Sequence, residues 1–450
     1  MLSVPRIYFV LTLLSFLLTG QFIYGQTGKT AKRSTVAPDS TDDYFNENYL
    51  RYDNHTYKKN IKTVQLNNKA AEMSSPMMRL NSDDQLKLGF DDLDGGFKTY
   101  NYTVVHCNAD WKPSDLVFNE FANGFSENPL NDYSYSAGLT WQKYTHYQLY
   151  LPNENLKISL SGNYLLKVYQ DGKPEDLVLT RRFMVYDNTI FITPSFKFPG
   201  ALTDKLTKQG VNFSIDYENN VISNPGDVKI MVMQNERWDN ALTNIQPTFL
   251  KDRQLVYDFT DEQNEFNGGS EFRNFDMKSI IYHSGRMARV TKEDGLTHVY
   301  LTNDEKRSRE RYAFSNDLDG RFLVKITEGT NSDVEADYCY VHFFLPYAAP
   351  ETEANVYLLG GLTDWQFNST SKMTYDYDRH GYACTLFLKQ GFYDYEYVLL
   401  SDGQEKADET PIEGSHAETE NDYTVFVYYR PPAMSYDLLL GAKRINTLKK

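Results

Sequence analysis

The sequence predicts an all-β, multidomain protein made of immunoglobulin-like β-sandwiches in tandem. Three observations carry this prediction. Aromatic residues make up 15% of the chain, with 35 Tyr and 27 Phe, a composition that suits pleated, half-covered surfaces. Short stretches alternate apolar and polar residues with a period of two, bounded by Gly, Pro, Asn and Asp. Beyond the N-terminal apolar run, no stretch sustains a 3.6-residue period over a normal helix length. At 450 residues the chain exceeds one ordinary core, so about two to three domains are expected.

Taken in order, Arg6 precedes the apolar run 7–18, and small or polar residues follow at Gly20 and Gly25–Gln26. That is the pattern of a secretory signal peptide, residues 1–25. No Cys stands at the cleavage region to carry a lipid. No later stretch approaches the roughly 20 apolar residues of a spanning helix, so a soluble, exported protein is expected. Residues 26–47 are polar and read as a flexible leader.

The first domain, 48–187, is expected to contain strands near 60–66, 85–93 and Thr99–Cys107. In the last of these, Tyr100, Tyr102, Val104 and His106 share one face, with Thr99, Thr103 and Val105 on the other. Residues 161–187 predict two strands turning at Asp171–Gly172. A central domain, 188–349, is marked by Val211–Tyr217, the turn Asn224-Pro225-Gly226, Val228–Met233, Arg321–Ile326 and Tyr338–Leu345. A C-terminal domain, 350–432, opens with the strand and loop VYLLGGLTDW at 356–365. It continues through Tyr393–Leu400, where Tyr393, Tyr395 and Tyr397 alternate with Asp394 and Glu396. The strand Tyr423–Tyr429 closes it at Pro431–Pro432, and 433–450 reads as a tail.

The charge balance is 46 Lys+Arg against 61 Asp+Glu, a net −15, which repels phosphate backbones and excludes nucleic acid as a partner. Cys107, Cys339 and Cys384 leave an odd thiol. Each falls on a strand and in a different domain, so three buried thiols are expected rather than a bridge. The eight histidines never pair at i, i+3 or i, i+4, which removes zinc spacing; His106 and His342 lie within strands and are expected to be structural. Two acidic loops, DDLDGG around Gly95 and NDLDGR around Gly320, resemble calcium loops. In a calcium loop the first and last ligand positions would fall on Phe90 and Asn101, and on Ser315 and Ile326, and none of these offers the carboxylate that those positions require. Acidic β-turns are the expectation. No nucleophile elbow, phosphate-binding Gly loop or Cys–His pattern appears. No catalytic, cofactor-binding or metal residue is therefore assigned, and a non-enzyme is expected, with a hydrolase of unrecognised site as an alternative.

Two resemblances add to this. The segment from GGLTDW through KMTYDYDRHGYACTLFLKQGFYDYEYVLL resembles the early-set, glycogen-binding type of module, in which a Trp at the end of such a loop stacks on sugar. Trp365 occupies that position, and 366–450 offers no second Trp. Trp365 is thus a candidate for sugar stacking, or else a packing or protein-contact residue. More extensively, NIKTVQL (60–66), YTVVHCNADW (102–111), the run 144–188, NERWDNALTNIQPTF (235–249) and GGSEFRNFD (268–276) resemble the plug protein family of the type IX (Por) secretion system. That resemblance implies a periplasmic protein that binds the giant outer-membrane translocon barrel and closes its pore when no substrate passes. It implies no catalytic residue, cofactor or membrane span. The alternative is a periplasmic carbohydrate-binding protein using Trp365.

Overall fold

The computed structural model describes residues 49–448 apart from 139, 198–203, 219–220, 244 and 260–261. The expected signal peptide and leader lie outside the described residues. The described strands form three two-sheet sandwiches and one small two-stranded sheet, and the α-helices among the described residues are four-residue turns such as Phe118–Phe121 and Ser332–Glu335. The all-β, multidomain expectation holds.

In the first sandwich Tyr100–Cys107 pairs antiparallel with Gly162–Gln170, which pairs in turn with Leu177–Tyr186. The register sets Tyr102 opposite Val168 and Val104 opposite Leu166, so one face of both strands enters the core. Facing it is the sheet of Ile61–Asn68, Leu86–Asp92, Thr145–Leu151 and Asp132–Tyr135. Phe90, Tyr100, Tyr147, Tyr164 and Phe183 fill the space between. The expected turn is present, with Asp171 and Gly172 at φ 54° and 66°.

The central sandwich is discontinuous in sequence. One sheet holds Ile190–Lys197, Lys208–Tyr217, Gln254–Tyr257 and Phe249–Lys251. The other joins Val228–Gln234 to two strands from the far end of the chain, Asp422–Tyr429 and Leu438–Asn446. Ile230 faces Val427 and Val232 faces Val425 across that pairing, and all four are core. The chain leaves this sandwich after Glu265–Asn267, builds the third, and returns at Asp422. The inserted sandwich sets Arg273–Asp276, Gly391–Ser401, Phe322–Val324 and Ala354–Leu359 against Met287–Glu293, Leu296–Leu301, Tyr338–Pro346, Gly381–Lys389 and Thr374–Asp376.

The expected boundaries are corrected accordingly. Residues 270–349 do not complete a central domain; their strands share one core with residues from 356 to 412. Asp422–Tyr429 belongs to the central sandwich and not to a domain of 350–432, and the expected tail 433–450 contains the strand Leu438–Asn446. Pro431–Pro432 ends one strand of a hairpin, not the fold.

One cysteine placement is also corrected, because Cys339 and Cys384 lie in the same sandwich on neighbouring strands. Their register pairs Cys339 with Leu388 and Cys384 with Phe343, four positions apart or about 13 Å along the strands. That is too far for a bridge. All three thiols are free and buried, and burial pushes each up to about 12.

Candidate functional site: the junctions between sandwiches

The first and central sandwiches meet sheet to sheet. Residues that alternate away from the two cores, Val105, Cys107, Leu165 and Met184 on one side and Met231, Met233, Phe426 and Tyr428 on the other, form a continuous apolar cluster. At its edge the Arg182 guanidinium lies against two indoles, 4.4 Å from the Trp111 ring and 4.6 Å from the Trp238 ring. The Trp rings meet edge to face at 5.3 Å. Stacking of this kind suits the weakly hydrated guanidinium. Asp437 closes the seam. It accepts from the Ala109 amide at 3.0 Å, from Lys229 at 3.0 Å and from Arg430 at 2.9 Å. Burial pushes its carboxyl up, but Arg430, Ala109 and Lys229 outweigh that and hold it below the usual range.

The first and inserted sandwiches meet through polar groups. Asp91, which opens DDLDGG near the end of the strand Leu86–Asp92, is fully buried; it accepts from Lys389 at 2.6 Å and from the Tyr338 hydroxyl at 2.7 Å, and bonds His146 Nδ1 at 2.7 Å. Burial pushes Asp91 up, yet Lys389 and His146 prevail and leave its pKa lowered. Lys389 also lies 4.2 Å from the Tyr144 ring. Asp337 receives the amides of Trp141 and Gln142 at 2.8 and 3.1 Å. Arg181 reaches Asp364 at 2.9 Å. Gly89 leaves the room His146 needs, since a Cβ there would stand 3.2 Å from its Cε1.

The central and inserted sandwiches share the densest charge. Arg237 is buried with three carboxylates, at 2.8 Å from Asp239, 3.1 Å from Glu396 and 3.4 Å from Glu409. Burial pushes Glu396 up against the pull of Arg237. Beside this lies the NDLDGR loop. Asp319 bonds Arg321 at 3.2 Å, and Arg321 reaches Glu236 at 3.2 Å and Asp422 at 3.5 Å. Asp394 accepts from the amides of Leu318 and Gly320. Among the described residues no group of three or more His, Cys, Asp or Glu is arranged to hold a metal ion.

Burial, reinforced by Asp317, pushes Asp394 up to about 8. A folded pKa above the unfolded value of about 3.9 means that the stability from the neutral acid is present below about pH 4. It is lost as pH rises towards about 8. Asp394→Asn keeps the acceptor and removes the titration. Urea unfolding at pH 5 and pH 8 should show the native protein losing on the order of 2–4 kcal/mol more than the variant across that window. Equal losses would show that Asp394 is ionised throughout.

Trp365 stands where all three sandwiches converge. It lines a small recess with Arg182, Met184, Glu236, Trp238 and Phe426 and meets Phe272 edge on at 6.0 Å. Its ring lies so close over Gly320 that a Cβ there would come within 2.4 Å. Gly320, at φ +78°, is thus needed both for the turn and for the indole. Of the two strand histidines, His106 bonds Ser114 at 2.9 Å, and burial lowers its pKa to about 4. His342 bonds His298 at 2.9 Å and stacks on Tyr300 at 4.2 Å. The junction residues Asp91, Lys389, Arg237 and Glu396 were not singled out by sequence. The one available signal was the charged face alternating with Tyr393, Tyr395 and Tyr397.

Against known proteins, a family model described as the type 9 secretion system plug protein 1st domain matches residues 61–187, which spans most of the first sandwich. The crystal structure of a hypothetical protein from Parabacteroides merdae is similar at 33% identity and a TM-score of 0.85. The match covers 88% of this chain and 100% of that one. No curated protein matches the chain.

Proposed function

The chain belongs to the type IX secretion system plug family, and we propose that it binds the periplasmic end of the system's giant outer-membrane barrel and seals the pore between substrates. The match over the first sandwich carries this reading. The family and the all-β fold point to a non-catalytic component of the secretion system. Among the described residues, no helix is long and apolar enough to cross a membrane.

The sizes of chain and pore are of the same order, which a single sandwich's would not be. A barrel of about 36 strands spaced about 4.8 Å apart and tilted about 40° has a mouth of roughly 60 Å once side chains line it. A compact chain of about 400 residues is a body roughly 55 Å across, whereas a single sandwich of about 100 residues is near 33 Å. The tight packing of Trp365 on Gly320 and Phe272 supports a packing role for that residue over a sugar platform.

A strain lacking the gene should admit large hydrophilic antibiotics or dyes, and only while the barrel is present. A deletion strain as tight as the parent, with the unoccupied barrel confirmed in its outer membrane, would overturn the sealing role.

A further inference from the structure

The chain passes from the first sandwich to the central one, into the inserted one and back to the central one. No linker joins the first sandwich to the inserted sandwich, so their junction is held by non-covalent contacts alone. Those contacts differ in kind from the ones between the first and central sandwiches, where a continuous apolar cluster spans the seam. Between the first and inserted sandwiches no such cluster is present among the described residues. The contacts are mainly polar: they include the Asp91–Lys389–Tyr338–His146 group, the Asp337 carboxylate on two amides, the Tyr144 hydroxyl on the Ala336 carbonyl, and the pairs Lys87–Asp333 and Arg181–Asp364, with one buried ring pair, Tyr144 edge-on to Tyr338 at 5.5 Å, among them.

Two further observations concern the same seam. A cavity of about 260 Å³ opens beside it, lined by Lys87, Gly89, His146, Leu323, Asp333 and Lys389. His146, 8% exposed, points Nε2 at this seam without a hydrogen-bond partner, and the nearest carboxylate oxygen, on Asp333, is 3.7 Å away. The two chain crossings to the inserted sandwich carry Gly269 at φ +64° and Gly414 at φ +82°.

We propose that this seam is a clasp. The inserted sandwich swings away from the first about the crossings near Gly269 and Gly414, pivoting on the Arg237–Glu396–Glu409 junction beside them, while the first and central sandwiches stay locked. Separating an apolar seam exposes surface that water penalises. Separating a polar one hydrates the charges and recovers the desolvation cost of burying them. Polar interfaces within a chain accordingly permit relative domain movement, and large apolar ones resist it. The cavity already brings solvent to the clasp. Opening would change the outline that the protein presents to a pore, which gives such a seal a second shape.

The test uses the mature chain alone, so its result is independent of the sealing role. The native thiols are buried, so probes placed through Tyr135→Cys on the first sandwich and Thr385→Cys on the inserted one report a single inter-probe distance. The clasp predicts two distance populations, the second longer by at least about 10 Å, with its share raised severalfold by Asp91→Asn/Lys389→Met. One narrow distribution in both proteins overturns it. Should the double variant fail to fold, amide exchange in the parent decides. Trp141 and Gln142, which donate across the clasp, should exchange at least tenfold faster than Ala109 and Asp187, which donate across the first–central seam. Equal protection overturns the proposal.

Discussion

Removing residues 433–450 is expected to abolish cooperative folding of the central sandwich. The deleted segment carries Leu438–Asn446, whose Leu439 and Leu440 are 0% and 3% exposed. Losing two buried leucines costs about 4–10 kcal/mol, comparable with the whole net stability of a domain, about 5–15 kcal/mol. Asp437 goes with them and leaves Lys229 and Arg430 without their shared carboxylate. The damage extends to the first sandwich, because Leu439 is part of the cluster that joins the two. Soluble yield and urea unfolding of chains ending at 432 and at 450 provide the measurement. An unchanged midpoint in the shorter chain would mean that the last strand is dispensable and that 433–450 is a tail after all.

Arg237→Ala should destabilise by about 3–5 kcal/mol, the usual cost of leaving buried charge without its partner. The guanidinium is the shared counterion of Asp239, Glu396 and Glu409, so its removal leaves three carboxylates facing one another in a closed junction. The deficit has a sign in pH. The abandoned carboxylates bind protons more tightly in the folded variant than in its unfolded chain, so the loss is largest at neutral pH and shrinks as pH falls towards about 4. Urea midpoints at pH 7 and pH 4.5 for parent and variant check both statements. A loss below about 1 kcal/mol at pH 7, or a loss independent of pH, would show that water reaches this junction.

Much of the fold was legible in the chain. Period-two alternation located Tyr338–Pro346 to within a residue at its C-terminal end, and Gly with Asp at the 171–172 turn marked a hairpin because only such residues accept positive φ cheaply. Alternation grouped Tyr100, Tyr102, Val104 and His106 on one face and Tyr393, Tyr395 and Tyr397 on another, and all are buried. It left open what covers the opposite faces. Val105 and Cys107 enter a second apolar cluster, and Asp394 and Glu396 are 0% and 4% exposed. An alternating strand shows that one side is apolar and leaves open what covers the other. Carboxylates are rarely fully buried without a partner. Asp394 and Glu396 are buried here only because a partner from a distant segment meets each, the amides of Leu318 and Gly320 for one and Arg237 for the other.

By itself the sequence determined the all-β class, the turns and the absence of metal and nucleophile spacing, since each depends on residues within a few positions of one another. It also carried the family resemblance, which lies in strings such as NIKTVQL and YTVVHCNADW. Only the tertiary structure decided that Asp422–Asn446 completes the central sandwich, that Trp365 packs at a three-way junction, and which seam is apolar and which is polar. Strand pairing joins segments as distant as Val228–Gln234 and Asp422–Tyr429. Any of several alternating strands satisfies the same local pattern, so the choice among them is made by packing across the whole molecule.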